Sequence, residues 1–189
     1  MTFDCAVVGA GPAGCAAALY LSKLGRKVAL IARFPNARRK PCGEGILPAG
    51  VAVLRELGLD AAVSARARPF RGVRHTTRGG IAATGLFRSG PGLAVAREEL
   101  DELLLRRAAV APGVTLHERG PVHGAEAGPD GVILRLEEGE IRARRLIIAD
   151  GLSSATLKGL GVARRPAACA RYGLSARVTG LAGDRKSVG

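Results

Sequence analysis

The chain has 189 residues, 47% hydrophobic and 24% charged, with 27 Gly, 10 Pro, 4 Cys, 2 Tyr, 4 Phe and no Trp. That length buries one core or a core and a half, and the apolar fraction excludes intrinsic disorder. The formal charge is +13, with Arg outnumbering Lys 24 to 5, yet the basic residues are scattered in pairs and triplets without interleaved aromatic rings; nucleic-acid binding therefore has charge behind it but no motif, and an anionic small ligand or a solvated surface is the better reading.

The first thirty residues carry the strongest pattern. Asp4-Cys-Ala-Val-Val-Gly9 reads as a short buried strand, and Gly9-Ala-Gly11-Pro12-Ala13-Gly14 as a GxGxxG turn. Cys15 to Leu24 reads as a helix, Gly25-Arg-Lys as a turn, and Val28 to Ile31 as a second apolar strand. A strand, a glycine turn, a helix and a strand in that order form the context that a dinucleotide-binding GxGxxG requires. In it Gly9 permits the tight turn, Gly11 lets the backbone approach a pyrophosphate, and Gly14 lets the helix pack closely. The uncharged run from Cys5 to Leu21 is expected to be neither a signal peptide nor a membrane span, since Asp4 precedes it with no basic leader, the glycine cluster lies in its first half, and it is at the short limit for a span.

The second strand of such a unit ordinarily ends in Asp or Glu, which holds the adenosine ribose. Here Ala32 and Arg33 follow Ile31. Arg33 could meet the ribose edge, the adenine face or a phosphate; alone it would suggest NADP, whose 2′-phosphate takes a cation, but the rest of the chain argues against that cofactor.

Arg39-Lys-Pro-Cys42-Gly-Glu44-Gly-Ile-Leu-Pro-Ala-Gly50 is a Gly/Pro-rich loop leading into a helix from Val51 to Leu57. Segments near 72–77 and 81–87 read as strands, and Arg97 opens a helix with Leu100, Leu103 and Leu104 on one face. Val114 to Leu116 is a short apolar strand. Strand-like segments follow at 121–127, 132–136 and 140–144, and Leu146-Ile-Ile-Ala149 then runs as a separate buried strand into Asp150-Gly151.

Taken together, Gly9-x-Gly11-Pro12-x-Gly14, Lys40-Pro-Cys42-Gly-Glu44-Gly45, the Arg97-led helix and Ala149-Asp150-Gly151 resemble, in order and spacing, the N-terminal half of the geranylgeranyl reductase and flavoprotein monooxygenase superfamily. The resemblance covers roughly residues 1–178. It implies an α/β, Rossmann-like FAD-binding fold: a parallel sheet with a three-stranded meander, plus the start of an antiparallel substrate layer near 72–87 and 172–178. It also implies that the first motif cradles the FAD pyrophosphate through Gly9, Gly11, Pro12, Ala13 and Gly14, that Arg97 contacts FAD, and that Asp150-Gly151 supports the pyrophosphate. In some members the last turn also serves NAD(P)H, the expected electron donor. The Cys42 loop is most like that of the reductase branch, where it lies near the flavin or the substrate cavity.

Each residue has a plainer reading too. Arg97 could be a surface residue, Asp150-Gly151 an ordinary turn, Cys42 a small buried side chain and Glu44 a solvated carboxylate. Cys42 and Glu44 are the only catalytic candidates, because no His or carboxylate pair forms an acid–base couple. Ala32 departs from the family pattern, as does Leu157, which stands where an arginine is expected after Ser154; Lys158 beside it lacks the bidentate fork.

The expected function is FAD-dependent reduction of isoprenoid double bonds on a small, lipid-like substrate. The alternatives are hydroxylation by a monooxygenase, halogenation, a non-catalytic nucleotide-binding fragment, and a plain NAD(P)-dependent Rossmann reductase. Residues 179–189 break from the preceding pattern and are expected to be a non-native or disordered tail, and the missing second Gly-Asp motif predicts a protein about twice this length. Cys5, Cys15, Cys42 and Cys169 form no CxxC pair and the three histidines have no ligand spacing, so no metal site and a reduced, cytoplasmic compartment are expected, with at most peripheral membrane contact.

Overall fold

A computed structural model describes residues 2–34, 40–118, 120–152 and 154–163. Cys169, the strand expected at 172–178 and the tail at 179–189 lie outside the described residues.

β1 (Thr2–Val8) and β2 (Val28–Ile31) are near-continuous apolar runs; the last four residues of β1 and all of β2 are buried. Such runs belong to strands covered on both faces. α1 (Pro12–Lys23) joins them and starts three residues before the expected Cys15. The cause is Pro12, whose fixed φ suits the first helical position and whose missing N–H is no loss there. α1 closes where Gly25 takes φ +67° and the Arg26 N–H donates to the Leu21 carbonyl at 3.0 Å. α2 (Pro48–Glu56) repeats the early start, with Pro48 in its first turn instead of Val51 at its head.

The chain continues through β3 (Gly45–Ile46, before α2), α3 (Asp60–Ser64), β4 (Arg68–Phe70), β5 (Gly72–Thr76), β6 (Ala82–Leu86) and β7 (Gly92–Ala94). Then come α4 (Arg97–Ala109), β8 (Val114–His117), β9 (Gly124–Gly128), β10 (Gly131–Leu136), β11 (Gly139–Ile148) and α5 (Ala155–Gly159). The contacts divide these elements into two compact units, one from Met1–Arg39 with Glu98–Ala170 and the other around Lys40–Arg97.

The first unit holds a six-stranded sheet in the order β8-β2-β1-β11-β10-β9. β8, β2, β1 and β11 pair in parallel, while β11, β10 and β9 form the antiparallel meander. β11 corrects the expected split into strands at 140–144 and 146–149. It is one ten-residue strand, whose start pairs with β10 (Gly139↔Leu136) and whose end pairs with β1 (Val8↔Ile148). The Arg144 and Arg145 side chains are exposed, so their charges do not interrupt the backbone ladder, which continues past them. Meander residues Val132, Leu134, Ile141 and Ala143 pack on Ala6, Val8, Ala29 and Ile31 of the parallel strands.

In the second unit β3, β7 and β4 form a small antiparallel sheet, and β5 and β6 pair as a hairpin at the expected segments. Leu54, Leu57, Leu59, Val63, Leu93 and Val95 are its buried apolar residues. Among the described residues no helix is long and apolar enough to cross a membrane.

Candidate functional site

Three pieces of chain meet at the carboxyl end of β1. Gly9 sits at φ +103°; its N–H donates to the Ile31 carbonyl at 2.8 Å, and the Ala149 N–H donates to the Val8 carbonyl at 2.7 Å. A Cβ on Gly9 would lie 2.4 Å from the Ala149 oxygen and 2.7 Å from the Asp150 nitrogen. A Cβ on Gly14 would lie 1.8 Å from the Gly9 oxygen and 3.4 Å from the Ala149 Cβ. Only hydrogen fits at either position. The first and last motifs of the sequence are thus packed against each other by backbone.

Gly11 is the N-cap of α1 in an extended conformation (φ −78°, ψ −174°) and gives no side-chain cap, with Pro12 in the first turn and Ala13 exposed. The opening N–H groups of α1 therefore have no capping side chain over them, which leaves them available to an anion. Burial pushes the Cys15 thiol up to about 12, with the Asp101 charge adding to the shift, and its Sγ donates to the Ala10 carbonyl at 3.2 Å. Cys15 is a packing residue of the first turn, not a nucleophile.

Asp150 is half-buried and uses one carboxylate oxygen only. Its Oδ2 accepts from the Thr156 hydroxyl at 3.0 Å and from the Thr156 N–H at 3.4 Å, whereas Oδ1 is buried with no hydrogen-bond partner. Gly151 follows at φ +91°, exposed. Ser154 caps α5, its Oγ accepting from the Leu157 N–H at 2.9 Å. The Leu157 position is half-buried and Lys158 is exposed.

At the other expected contact, Arg33 is exposed, with its guanidinium carbon 5.2 Å from the centre of the Phe34 ring. Cys42, Glu44 and Arg97 come together in the second unit. Glu44 takes a positive φ of 55°, uncommon for a residue with a side chain. Its N–H donates to Cys42 Sγ at 3.4 Å, and its carbonyl accepts from the Val95 N–H at 2.9 Å. Its carboxylate accepts from the N–H of half-buried Arg97 at 3.3 Å, at the head of α4. Glu44 thus braces the residue that opens a helix, a place where a negative charge is favoured. Composition and spacing gave no sign of this role, since the partners lie more than fifty positions apart.

Elsewhere in the first unit a cavity of about 280 Å³ is lined by Leu116, His117, Leu136 and Ile141, with Glu118, Glu138 and Glu140 at its wall. His117 meets Phe3 edge-on at 6.0 Å, and its Nε2 is buried without a partner. Burial lowers the imidazole pKa below its ordinary 6.5. The folded state therefore favours the neutral ring, so this contribution to stability is complete above pH 6.5 and is lost as pH falls through the lowered value. Replacing His117 with Phe should flatten the loss of stability between about pH 7 and pH 5 in denaturant titrations. An unchanged slope would show that other groups set it.

A sequence profile of the FAD binding domain matches residues 2–178. The chain belongs to the FAD binding domain family. The resemblance drawn from the four motifs and the α/β fold expected with it are both borne out. Among curated relatives, the menaquinone reductase of Mycobacterium tuberculosis is 38% identical over 164 residues, covering 84% of this chain and 40% of that protein. The 6-methylpretetramide 4-monooxygenase of Streptomyces rimosus is 31% identical over 177 residues, covering 84% and 41%. A geranylgeranyl bacteriochlorophyll reductase-like structure from Thermoplasma acidophilum superposes with a TM-score of 0.67 at 28% identity, over 85% of this chain and 42% of that one. The chain therefore spans about 40% of the length of these two curated relatives. Reductases and monooxygenases stand side by side in this FAD binding domain family, which makes a flavin-dependent oxidoreductase the class of enzyme to which the chain is related.

Proposed function

We propose that the chain binds the ADP half of FAD between the Gly9–Gly14 turn and Asp150-Gly151, as part of a flavoenzyme that reduces a lipid-like, isoprenoid or quinone-bearing substrate. The observation that carries this is the mutual closure of the two turns. Backbone packing at Gly9 and Gly14 fixes the uncapped start of α1 against the Ala149-Asp150 segment, where a buried Asp150 Oδ1 still lacks a donor. A buried acceptor without a partner costs about 1–3 kcal/mol, and a ligand hydroxyl would remove that cost. The residues present thus suit the cofactor that the family takes. Bound FAD supplies the two-electron chemistry through its ring system.

The chain's own residues have binding and orienting roles. The uncapped N–H groups behind Gly11 and Pro12 would receive the pyrophosphate, with Ala13 beside them and too small to obstruct it. Asp150 would orient a hydroxyl through Oδ1 while Thr156 holds Oδ2 in place. Gly151, without a side chain, would let the cofactor approach the backbone. Arg97 would add a positive charge, its backbone braced by Glu44. Cys42, tied to Glu44 in the same loop, is the candidate to line the substrate side. NAD(P)H is the proposed electron donor.

The identity to menaquinone reductase and the Cys42 loop support reduction, while the identity to the 6-methylpretetramide enzyme supports hydroxylation as a second reading. The whole protein separates them. NADPH-dependent loss of a prenylated quinone without oxygen uptake fits the first, and oxygen uptake that depends on an aromatic substrate fits the second. For the cofactor, Arg97→Ala should release FAD about tenfold more readily in fluorescence titrations while α4 persists by circular dichroism, since Ala is the better helix former. Equal retention would remove Arg97 from the site.

A further inference from the structure

The carboxyl end of β2 lies at the glycine turn, and the strand ends are level there: Val8 pairs with Ile31, and Ile31 with His117. The Gly9 N–H donates to Ile31 and the Ala32 N–H to His117, both at 2.8 Å. This is where a dinucleotide-binding unit places the carboxylate that accepts the ribose hydroxyls and repels a 2′-phosphate; an arginine nearby admits the phosphate instead. Here the position is Ala32, 2% exposed and without a polar side-chain atom. The next residue, Arg33, is exposed and rests on Phe34, and among the described residues it makes no ion pair. From Cys5 to Gly43 the sequence contains no Asp or Glu at all. Neither this strand nor the glycine turn carries an acidic side chain, although the exposed Glu118 follows His117 at the end of the neighbouring β8.

We propose that the adenosine end of this cradle accepts a 2′-phosphorylated ribose, so that an adenine dinucleotide of the NADP type competes with FAD for the same turn. The proposal rests on the reading of that turn as the FAD cradle and adds the ligand class that its strand end selects. Arg33 supplies the cation for the 2′-phosphate. Because its side chain is exposed, the attraction is screened and weakens as salt rises. A pool of phosphorylated dinucleotide would thereby slow the loading of FAD into the empty protein.

The test is competition against FAD on the full chain stripped of flavin, read by flavin fluorescence, with ADP-ribose and 2′-phospho-ADP-ribose as the probes. The wild type should bind the phosphorylated probe at least as well as the plain one. Arg33→Ser should shift the ratio of the two affinities by about tenfold toward plain ADP-ribose. Ala32→Glu should shift it the same way by about tenfold or more through like-charge repulsion. Since Ala32 is buried and its replacement could disturb folding, the exposed Arg33 variant carries the decision. A wild type that prefers plain ADP-ribose by tenfold, or an Arg33→Ser ratio equal to that of the wild type, overturns the proposal while leaving the FAD cradle intact. Failure of both probes to displace bound FAD overturns the cradle itself, and the proposal with it.

Discussion

Gly14→Ala is expected to abolish FAD retention and to destabilise the first unit by on the order of 3 kcal/mol or more, the upper end for forcing an extra carbon into packed backbone. The new Cβ would sit 1.8 Å from the Gly9 oxygen, and Gly9 is held in place by its N–H bond to the Ile31 carbonyl and by close backbone packing against Ala149. Either α1 lifts from the turn or the turn separates from β11. Both open the place proposed for the pyrophosphate. Gly25→Ala is the matched control. Gly25 also has a positive φ, +67°, but nothing lies within 4 Å of its added Cβ, so only the left-handed backbone is strained, at about 1 kcal/mol. Fluorescence of bound flavin and urea unfolding of both variants would decide. If Gly14→Ala behaved like Gly25→Ala, the backbone packing of the turn would not be what shapes the site.

Leu134→Ala should be the most damaging substitution away from the site, at about 2–5 kcal/mol, against a total stability of roughly 5–15 kcal/mol for a domain of ordinary size. Leu134 is fully buried in β10, within the cluster where Val132, Ile141 and Ala143 meet the parallel strands. Truncation there empties a space that rigid strands on either side cannot collapse to fill. The neighbouring Arg135 faces solvent and pairs with Glu126 and Glu140, so Arg135→Ala should move the unfolding midpoint far less. Equal shifts would mean that the meander is held by its surface charges and not by its buried face.

What could be read from sequence had a definite physical limit. β1, β2 and the glycine turn were legible because strand hydrophobicity, glycine spacing and chain order agree over thirty residues. The starts of α1 and α2 were read three residues late because apolar periodicity begins after Pro12 and Pro48, while helical backbone begins with them. β3, β4 and β7 have two or three residues each, too few for an alternating pattern to appear. Glu44 resisted for another reason. Its work is to join Cys42, Val95 and Arg97 through a left-handed backbone, and neither its type nor its neighbours encode that. The unpartnered Asp150 Oδ1 was equally invisible, since it depends on Thr156 occupying the other oxygen and on burial by distant chain.

The pairing of β1 with β11 also sets a timetable for the ribosome. Thr2 faces Arg142 and Val8 faces Ile148, so β1 leaves the exit tunnel long before the strand it pairs with. At roughly 5–20 residues per second, several seconds or more of translation separate the glycine turn from the Ala149-Asp150 segment that closes it. Through that interval β1 has β2 on one edge, while the edge that β11 takes is open. Nascent chains halted before Ala149 should therefore be unable to capture flavin and should be the ones that chaperones hold, whereas chains in which Ala149 has cleared the tunnel can make its bond to Val8 and close the turn.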